Sequence, residues 1–585
     1  MAVRRGVVLV LALVGMAVVF SIASVFVLYA VISRGPSVPR SAALELKPGG
    51  SLGEVAGGDL LQVFGSGQST VRGFVDTLRA AKSDTRIKSV VLRPSALELP
   101  FWAKLQELRD AVLDFRTSGK PVIAFLEFGG DREYYLASAA DRVYLLPTSP
   151  LDLTGVASYE IFLRGTLDKV GVVADYVHVG EYKSAPNQLT ETGFTPAHRE
   201  MSESLNRDMY EQLVRGIAEA RRKTEPEVRA LLDDGPFLPE AAVRAGLVDG
   251  LAYDDELDDK ATGLREGGRA LRRIDGSDYR RGARLSFGSG RRRVAVIYAV
   301  GTIVSGESAY DPLNGALVGS DSLVEEIRRV RDDRSIDAVV LRVDSPGGSS
   351  AASDVIWREL MITRQQNPSR PLVVSMSDLA ASGGYYIAMP GQIIVAQPAT
   401  LTGSIGIFGG KNVLGGTMEK IGANVATVKD GANADIYSPF TRFSDSQRER
   451  LQQYMDGFYG TFVQRVADAR KKTYQEIDAV ARGRVWTGRQ ARERGLVDRL
   501  GGLDTAIAAA KELAGIPAGQ DVEVVSYPSR RSLYDLLTNQ FSGGSGLLSA
   551  FGRQGDARAL LAATASSRLF RRGEPLVLMP FSFVR

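Results

Sequence analysis

Five blocks of this 585-residue sequence recur once, in the same order and at nearly one offset. "SVVLRP" at 89–94 faces "AVVLRV" at 338–343, and "GKPVIAF" at 119–125 faces "SRPLVVS" at 369–375. "EYYLASAADRVYLLP" at 133–147 faces "GYYIAMPGQIIVAQP" at 384–398. "ARRKT" at 220–224 faces "ARKKT" at 469–473, and "RAGLVDGL" at 244–251 faces "ERGLVDRL" at 493–500. The offset stays at 249–251 throughout. A self-match of that length and constancy means two homologous domains in tandem, each large enough for its own core.

Within each copy, β-branched runs alternate with amphipathic helical ones. "IDAVVLRVD" (336–344) and "GQIIVAQ" (391–397) are near-continuous apolar runs, as strands buried on both faces require. Leu451, Tyr454, Met455, Phe458, Phe462 and Val466 recur at helical spacing, as do Leu205, Met209, Leu213 and Ile217. Such stripes are core packing before they are anything else. Strands alternating with helices indicate an α/β fold with largely parallel sheets. The expected domains are 41–258 and 293–525. The Gly-, Ser- and Arg-rich stretch 259–292 between them is expected as a connector, and 526–585 gives no assignment.

The N-terminus adds a third part. After "MAVRR", residues 6–33 carry no charge and are dominated by Val, Leu, Ala and Ile. As a helix this stretch would span roughly 42 Å, enough for a bilayer core of about 30 Å with some tilt. It is longer than a signal-peptide core, so a retained transmembrane anchor is expected. Arg4 and Arg5 precede it, which keeps the N-terminus cytoplasmic and puts the two domains on the outer side. The absence of cysteine excludes a thiol nucleophile, an iron–sulfur cluster and disulfides. Seventy-two basic residues against 68 acidic ones leave a net charge of +4, which gives little support to a nucleic-acid partner.

The copies differ where chemistry would sit. Ser382, in "DLAASGGYYIAMP", follows a strand-like run and opens a helix-like one, and it faces Asp131 in the first copy. "DSPGGS" (344–349) faces "PSALEL" (94–99), so the first copy lacks that Gly-Gly turn as well. Conversely "VGEYKSAPN" (179–187) falls opposite "VKDGANADI" (428–436), and Lys183 has no counterpart. One composite site per chain would explain losses that are complementary in this way. A serine hydroxyl needs a base to take its proton. A lysine amine can serve once burial lowers its pKa from about 10.4 toward 7–8. The chain has two histidines, His178 and His198, which leave a Ser–His–Asp triad as an alternative. Gly383, directly after the serine, offers a backbone N–H to a developing oxyanion, a donor worth roughly 3–4 kcal/mol. The Gly347–Gly348 turn could bring a second.

These motifs, "DSPGGS", "ASGGYYIA", "TLTGSIGIFGG" (400–410), "EYKSAPN" and the two "GLVD" turns, resemble those of signal peptide peptidase A in its long, membrane-anchored form. The resemblance covers most of residues 40–510. It implies two tandem domains with the fold of the Clp protease proteolytic subunit and crotonase, and a serine protease with a Ser–Lys dyad and no cofactor. Carried over by motif, Ser382 is the nucleophile and Lys183 the general base. Ser404 helps to position the lysine, and Gly383 with Gly347 or Gly348 forms the oxyanion hole. It further implies cleavage of remnant signal peptides at the outer face of the bacterial cytoplasmic membrane, by a homotetramer. Two other readings use the same residues: an acyl-CoA hydratase or thioesterase on this fold, and a non-catalytic membrane scaffold. With two histidines and no cysteine, a metal hydrolase has few ligands beyond carboxylates.

Overall fold

The computed structural model describes residues 37–55, 70–283, 292–311, 314–528, 574–579 and 583–584, with Gly15, Met16, Phe20, Ser21 and Ser24. In the first copy, four apolar runs form strands β1 (Ala42–Leu46), β2 (Ile87–Leu92), β3 (Val122–Leu126) and β4 (Arg142–Leu145). They pair in parallel in the order β4-β3-β2-β1. Every residue of β3 is buried, as strands covered on both faces must be. Helices α1 (Val71–Ser83), α2 (Ala103–Arg116) and α3 (Asp131–Ala137) supply the cover. The long helix α4 (Pro196–Arg221) starts where the Thr195 side chain accepts from His198 N, and it buries Met209, Leu213 and Ile217. Between α3 and α4 runs β5 (Val173–Val179), which leaves this sheet altogether.

The stretch expected as a connector is only partly one. Its residues Arg272–Asp275 form β6, which pairs in parallel with β1 at the sheet edge and is followed by a helix, Gly276–Gly282, capped by Asp275. The second copy does the same with Glu523–Tyr527 against its own first strand. The repeat therefore extends further than its sequence similarity.

The second copy contributes β7 (Arg293–Val300), β8 (Thr302–Val304), β9 (Ile336–Ser345), β10 (Gly347–Ser349), helix α5 (Ser350–Gln366) and β11 (Leu372–Ala381). Then come α6 (Gly383–Ala388), β12 (Leu401–Gly403), β13 (Ile407–Val413) and helix α7 (Asp445–Arg470). Strands β12-β11-β9-β7 form the second parallel sheet. On α7 the buried stripe is Leu451, Met455, Tyr459, Phe462, Val463 and Val466, while Tyr454 of the expected stripe faces solvent.

A third sheet joins the copies. Its order begins β5-β13 and continues through a strand of the C-terminal tail, β14 (Leu576–Leu578), to β10 and β8. Residues Leu576–Leu578 of the tail, which was unassigned from sequence, thus belong to this sheet. The expected membrane span at 6–33 lies outside the described residues but for the five named above, and no helix among the described residues is long and apolar enough to cross a membrane. A buried ionic cluster also locks the copies together. Arg342 on β9, fully buried, meets Glu54 at 2.8 Å and Glu107 at 2.7 Å, both from the first copy.

Candidate active site

Ser382 sits at the corner where β11 turns into α6, with φ of 56° and ψ of −112°. A serine at positive φ is strained, and the surroundings hold it there: its N–H donates to Gly403 O at 2.7 Å, and its carbonyl accepts from Tyr386 N at 2.9 Å. The corner leaves the Gly383 N–H at the start of the helix.

Lys183 reaches it from the other copy. The antiparallel pairing of β5 with β13 runs from Val173 opposite Val413 to Val179 opposite Ile407. Continued by four residues along β5, that register brings the lysine beside the turn that precedes β13, where Ser404 lies. Lys183 Nζ is 2.8 Å from Ser382 Oγ, 3.0 Å from Ser404 Oγ and 3.2 Å from Ser404 O. All three residues are buried. Among the described residues no carboxylate is bonded or bridged to the amine, and burial alone pushes its pKa well below the usual lysine value. Two glycines make the burial possible. A Cβ on Gly483 would lie 2.5 Å from Lys183 N, and one on Gly406 would lie 3.2 Å from its Cδ.

The proposed oxyanion donors converge. A Cβ built on Gly383 would stand 3.1 Å from Gly347 Cα, so β10 passes directly alongside the start of α6. The sequence left Gly347 and Gly348 as equals. Both lie in the ladder between β10 and β14, Gly347 facing Leu578 and Gly348 facing Val577, and Gly347 N also donates to Ser345 Oγ at 3.2 Å. Gly347 has φ of 99°, which permits the turn and leaves no room for a side chain.

The histidines are elsewhere. His178 is exposed, with Nδ1 3.1 Å from Gly180 O, and His198 is buried against Glu160, between Phe162 and Phe194. The Lys183 amine occupies the position on Ser382 that a triad histidine would need.

Two features escaped the sequence. Lys104, on α2 of the first copy, lies 2.7 Å from Asp344 and 3.4 Å from Asp378, the residues that open "DSPGGS" and "DLAAS". It ties together the two segments that carry Gly348 and Ser382. The first copy also fills its own vacated site. Asp131, in the place of Ser382, accepts from Thr154 N at 3.0 Å and Gly155 N at 2.9 Å. Glu133 accepts from Leu97 N, the counterpart of Gly347, at 2.7 Å. Asp344 and Asp378 were visible in the sequence, but Lys104, their shared partner, lies 240 and 274 residues away.

The sequence model of Peptidase family S49 matches residues 114–266 and 364–517. Serine protease SPPA, chloroplastic, of Arabidopsis thaliana is 35% identical over 81% of this chain and 70% of its own length. Protease 4 of Salmonella typhi is 34% identical over 82% of this chain and 78% of its own. A ClpP1 mutant from Listeria monocytogenes, 13% identical, superposes with a TM-score of 0.24 over 37% of this chain and 94% of that one.

Proposed function

The chain belongs to peptidase family S49, as a serine endopeptidase of the long two-domain form, and on that premise we propose that Ser382 is its nucleophile and Lys183 its general base. The observation that carries this reading is the 2.8 Å approach of a fully buried lysine amine, with no carboxylate partner among the described residues, to a buried serine hydroxyl. An uncharged amine has a lone pair to accept the Ser382 proton, and the same burial that discharges it excludes competing water. Ser404 Oγ and O fix the amine, so its remaining lone pair is directed at Ser382.

In the first half-reaction Ser382 Oγ adds to a peptide carbonyl and Lys183 takes the proton. The oxyanion is held by the Gly383 and Gly348 N–H groups, with the N-terminus of α6 favouring the charge. Lys183 then protonates the departing amine. In the second half-reaction water, deprotonated by Lys183, releases the acyl group. The hydratase and scaffold alternatives fall with the family assignment.

The same reading takes residues 6–33 as a single-pass anchor of the cytoplasmic membrane, with both domains outside and remnant signal peptides as substrates. Its support is the uncharged N-terminal stretch behind Arg4 and Arg5, together with the "Protease 4" relatives. A homotetramer is part of the reading on the family resemblance alone.

A fluorophosphonate tests the nucleophile. The full chain should gain one adduct, mapped to Ser382 by peptide mass, and Ser382→Ala should gain none. An adduct on another serine, or no adduct on a chain that hydrolyses peptide, would contradict the reading.

A further inference from the structure

The amine of Lys183 is fixed from two sides, by its own loop in the first copy and by the turn at Ser404 in the second. One short stretch of the second copy touches both. Arg482 O accepts from Tyr182 N at 3.0 Å, Gly483 N donates to Ile405 O at 2.8 Å, and Arg484 O accepts from Ser404 N at 2.7 Å. The strand that follows, Val485–Thr487, pairs antiparallel with β12, so the stretch is tied to the sheet that leads into Ser382. Ser404 and Arg482 both stand at positive φ, 50° and 52°. Residues with side chains persist in that conformation only where their surroundings over-determine it, and such positions gather at functional sites.

A single side chain closes the arrangement. The Arg484 guanidinium lies over the Tyr182 ring, 4.6 Å from its centroid, and over the Trp486 ring at 4.2 Å. Its two terminal nitrogens meet both carboxylate oxygens of Glu200, on α4 of the first copy, at 2.6 Å and 2.8 Å. Met201, the next residue of α4, accepts through its sulfur from Val485 N at 3.2 Å. Arg484 thus holds Ser404 through its main chain and the residue before Lys183 through its side chain. That side chain is only 13% exposed. A planar guanidinium is the group that can stack on aromatic rings while it pairs bidentately with a carboxylate, and a lysine cannot replace it in both roles.

The neighbouring charges are engaged differently. Arg494 also stacks on the Trp486 ring, at 3.8 Å, but it bonds to Gln490 O and Glu493. Arg482 pairs with Asp478 at 3.0 Å and with Glu181 at 3.5 Å, and its partners are on the surface side of the stretch, with Arg482 and Glu181 each half exposed.

We propose that Arg484 is a positioning residue for the base: it keeps the loop that carries Lys183 seated against the Ser404 turn, and so keeps the amine aimed at Ser382 and shut off from water. The proposal rests on the Ser382–Lys183 reading and adds to it a residue that acts through the base. Loss of the guanidinium would loosen the loop and admit water to the amine, and a hydrated amine keeps its proton to higher pH. Less of the enzyme would then hold the lone pair that Ser382 needs at neutral pH. The deficit should shrink as pH rises, which a general weakening of the fold would not produce.

The test is kcat and KM of the full chain in detergent on a fluorogenic apolar peptide, from about pH 6 to about pH 10. Wild type, Arg484→Met, Arg484→Lys and Arg494→Met are compared, with fluorophosphonate labelling of wild type and hydrolysis by Lys183→Ala run in parallel. Arg484→Met should lose at least about fivefold in kcat at pH 7 with KM within about twofold, should show its rising limb at higher pH, and should recover most of the loss above that limb. Arg484→Lys keeps the charge without the planar fork and should shift the limb the same way by less, which also serves if Arg484→Met does not fold. Arg494→Met removes the other cation from the Trp486 ring and should keep the wild-type limb. A limb that stays in place in both Arg484 variants, a loss of kcat equal at every pH, or an equal shift in Arg494→Met overturns the proposal alone. A wild-type chain that does not label at Ser382, or a Lys183→Ala chain that keeps its activity, overturns the Ser382–Lys183 reading and this proposal with it.

Discussion

The proposed role of Lys183 rests on burial, which pushes its pKa well below the ordinary lysine value. A buried amine whose folded pKa lies below its unfolded one binds fewer protons when folded. Stability therefore rises with pH across the window from that depressed value up to about 10.4, and at neutral pH the lysine is a cost to the fold. Lys183→Met should raise the melting temperature at pH 7 by roughly 2 °C or more and flatten the pH slope, as read by calorimetry at two pH values. The same depression means that peptide hydrolysis should rise with pH as the amine loses its proton and then level off. Ser404 acts only through that amine, so Ser404→Ala should lower kcat about tenfold to a hundredfold with KM little changed, and should shift the rising limb of the pH profile. The candidate residues could be picked out at this scale because each copy lacks what the other keeps. The choice between Gly347 and Gly348 was not legible, since it turns on a hydrogen bond from Gly347 N to Ser345 Oγ that no motif announces.

At the scale of elements, loops with special backbone requirements deliver these groups. A Cβ on Gly483, with φ of 81°, would fall 2.5 Å from Lys183 N, whereas one on Gly119, with φ of 78°, would meet open space. Both positions charge an alanine for the left-handed conformation, about 1 kcal/mol or somewhat more. Only Gly483→Ala also displaces the lysine. Urea melts should show both variants destabilised, with Gly483→Ala the worse, and kcat/KM should fall at least tenfold for Gly483→Ala alone. The parallel strands were readable because they are continuous apolar runs. β6 was not, because "RRID" is an edge strand with one buried residue, Ile274, amid arginines that look like a solvated connector. β14 is only three residues long, and its apolar character is explained by its place between β10 and β13 rather than by any period in the tail.

At the scale of the whole molecule, the site exists only while the two copies keep their relative placement. The Arg342 guanidinium, with Glu54 and Glu107, is the buried centre of that contact. Burial pushes the Glu54 carboxyl up, but the charge and hydrogen bond of Arg342, together with the Lys104 charge and the Ser377 hydrogen bond, outweigh it and hold the pKa down at about 2. A carboxylate depressed in this way contributes stability that is present above its unfolded value of about 4.3 and is lost as pH falls through about 2. Arg342→Met strands two buried acids and should cost about 3–5 kcal/mol in chemical denaturation at pH 7, less as the acids become protonated. Hydrolysis should disappear at a lower denaturant concentration than secondary structure does. None of this was visible in the sequence, where Glu54 and Arg342 stand 288 residues apart within ordinary strings.

The composite site makes one demand on the whole chain: a lysine of the first copy must serve a serine of the second. The measurement that tests it is kcat/KM of full-length Lys183→Ala on a fluorogenic apolar peptide, with the fold matched to wild type by circular dichroism. A loss of at least a thousandfold, as large as that of Ser382→Ala, is the predicted result, because nothing else among the described residues stands ready to take the Ser382 proton. Retention of near-wild-type hydrolysis by Lys183→Ala would contradict it and send the search for the base to another residue.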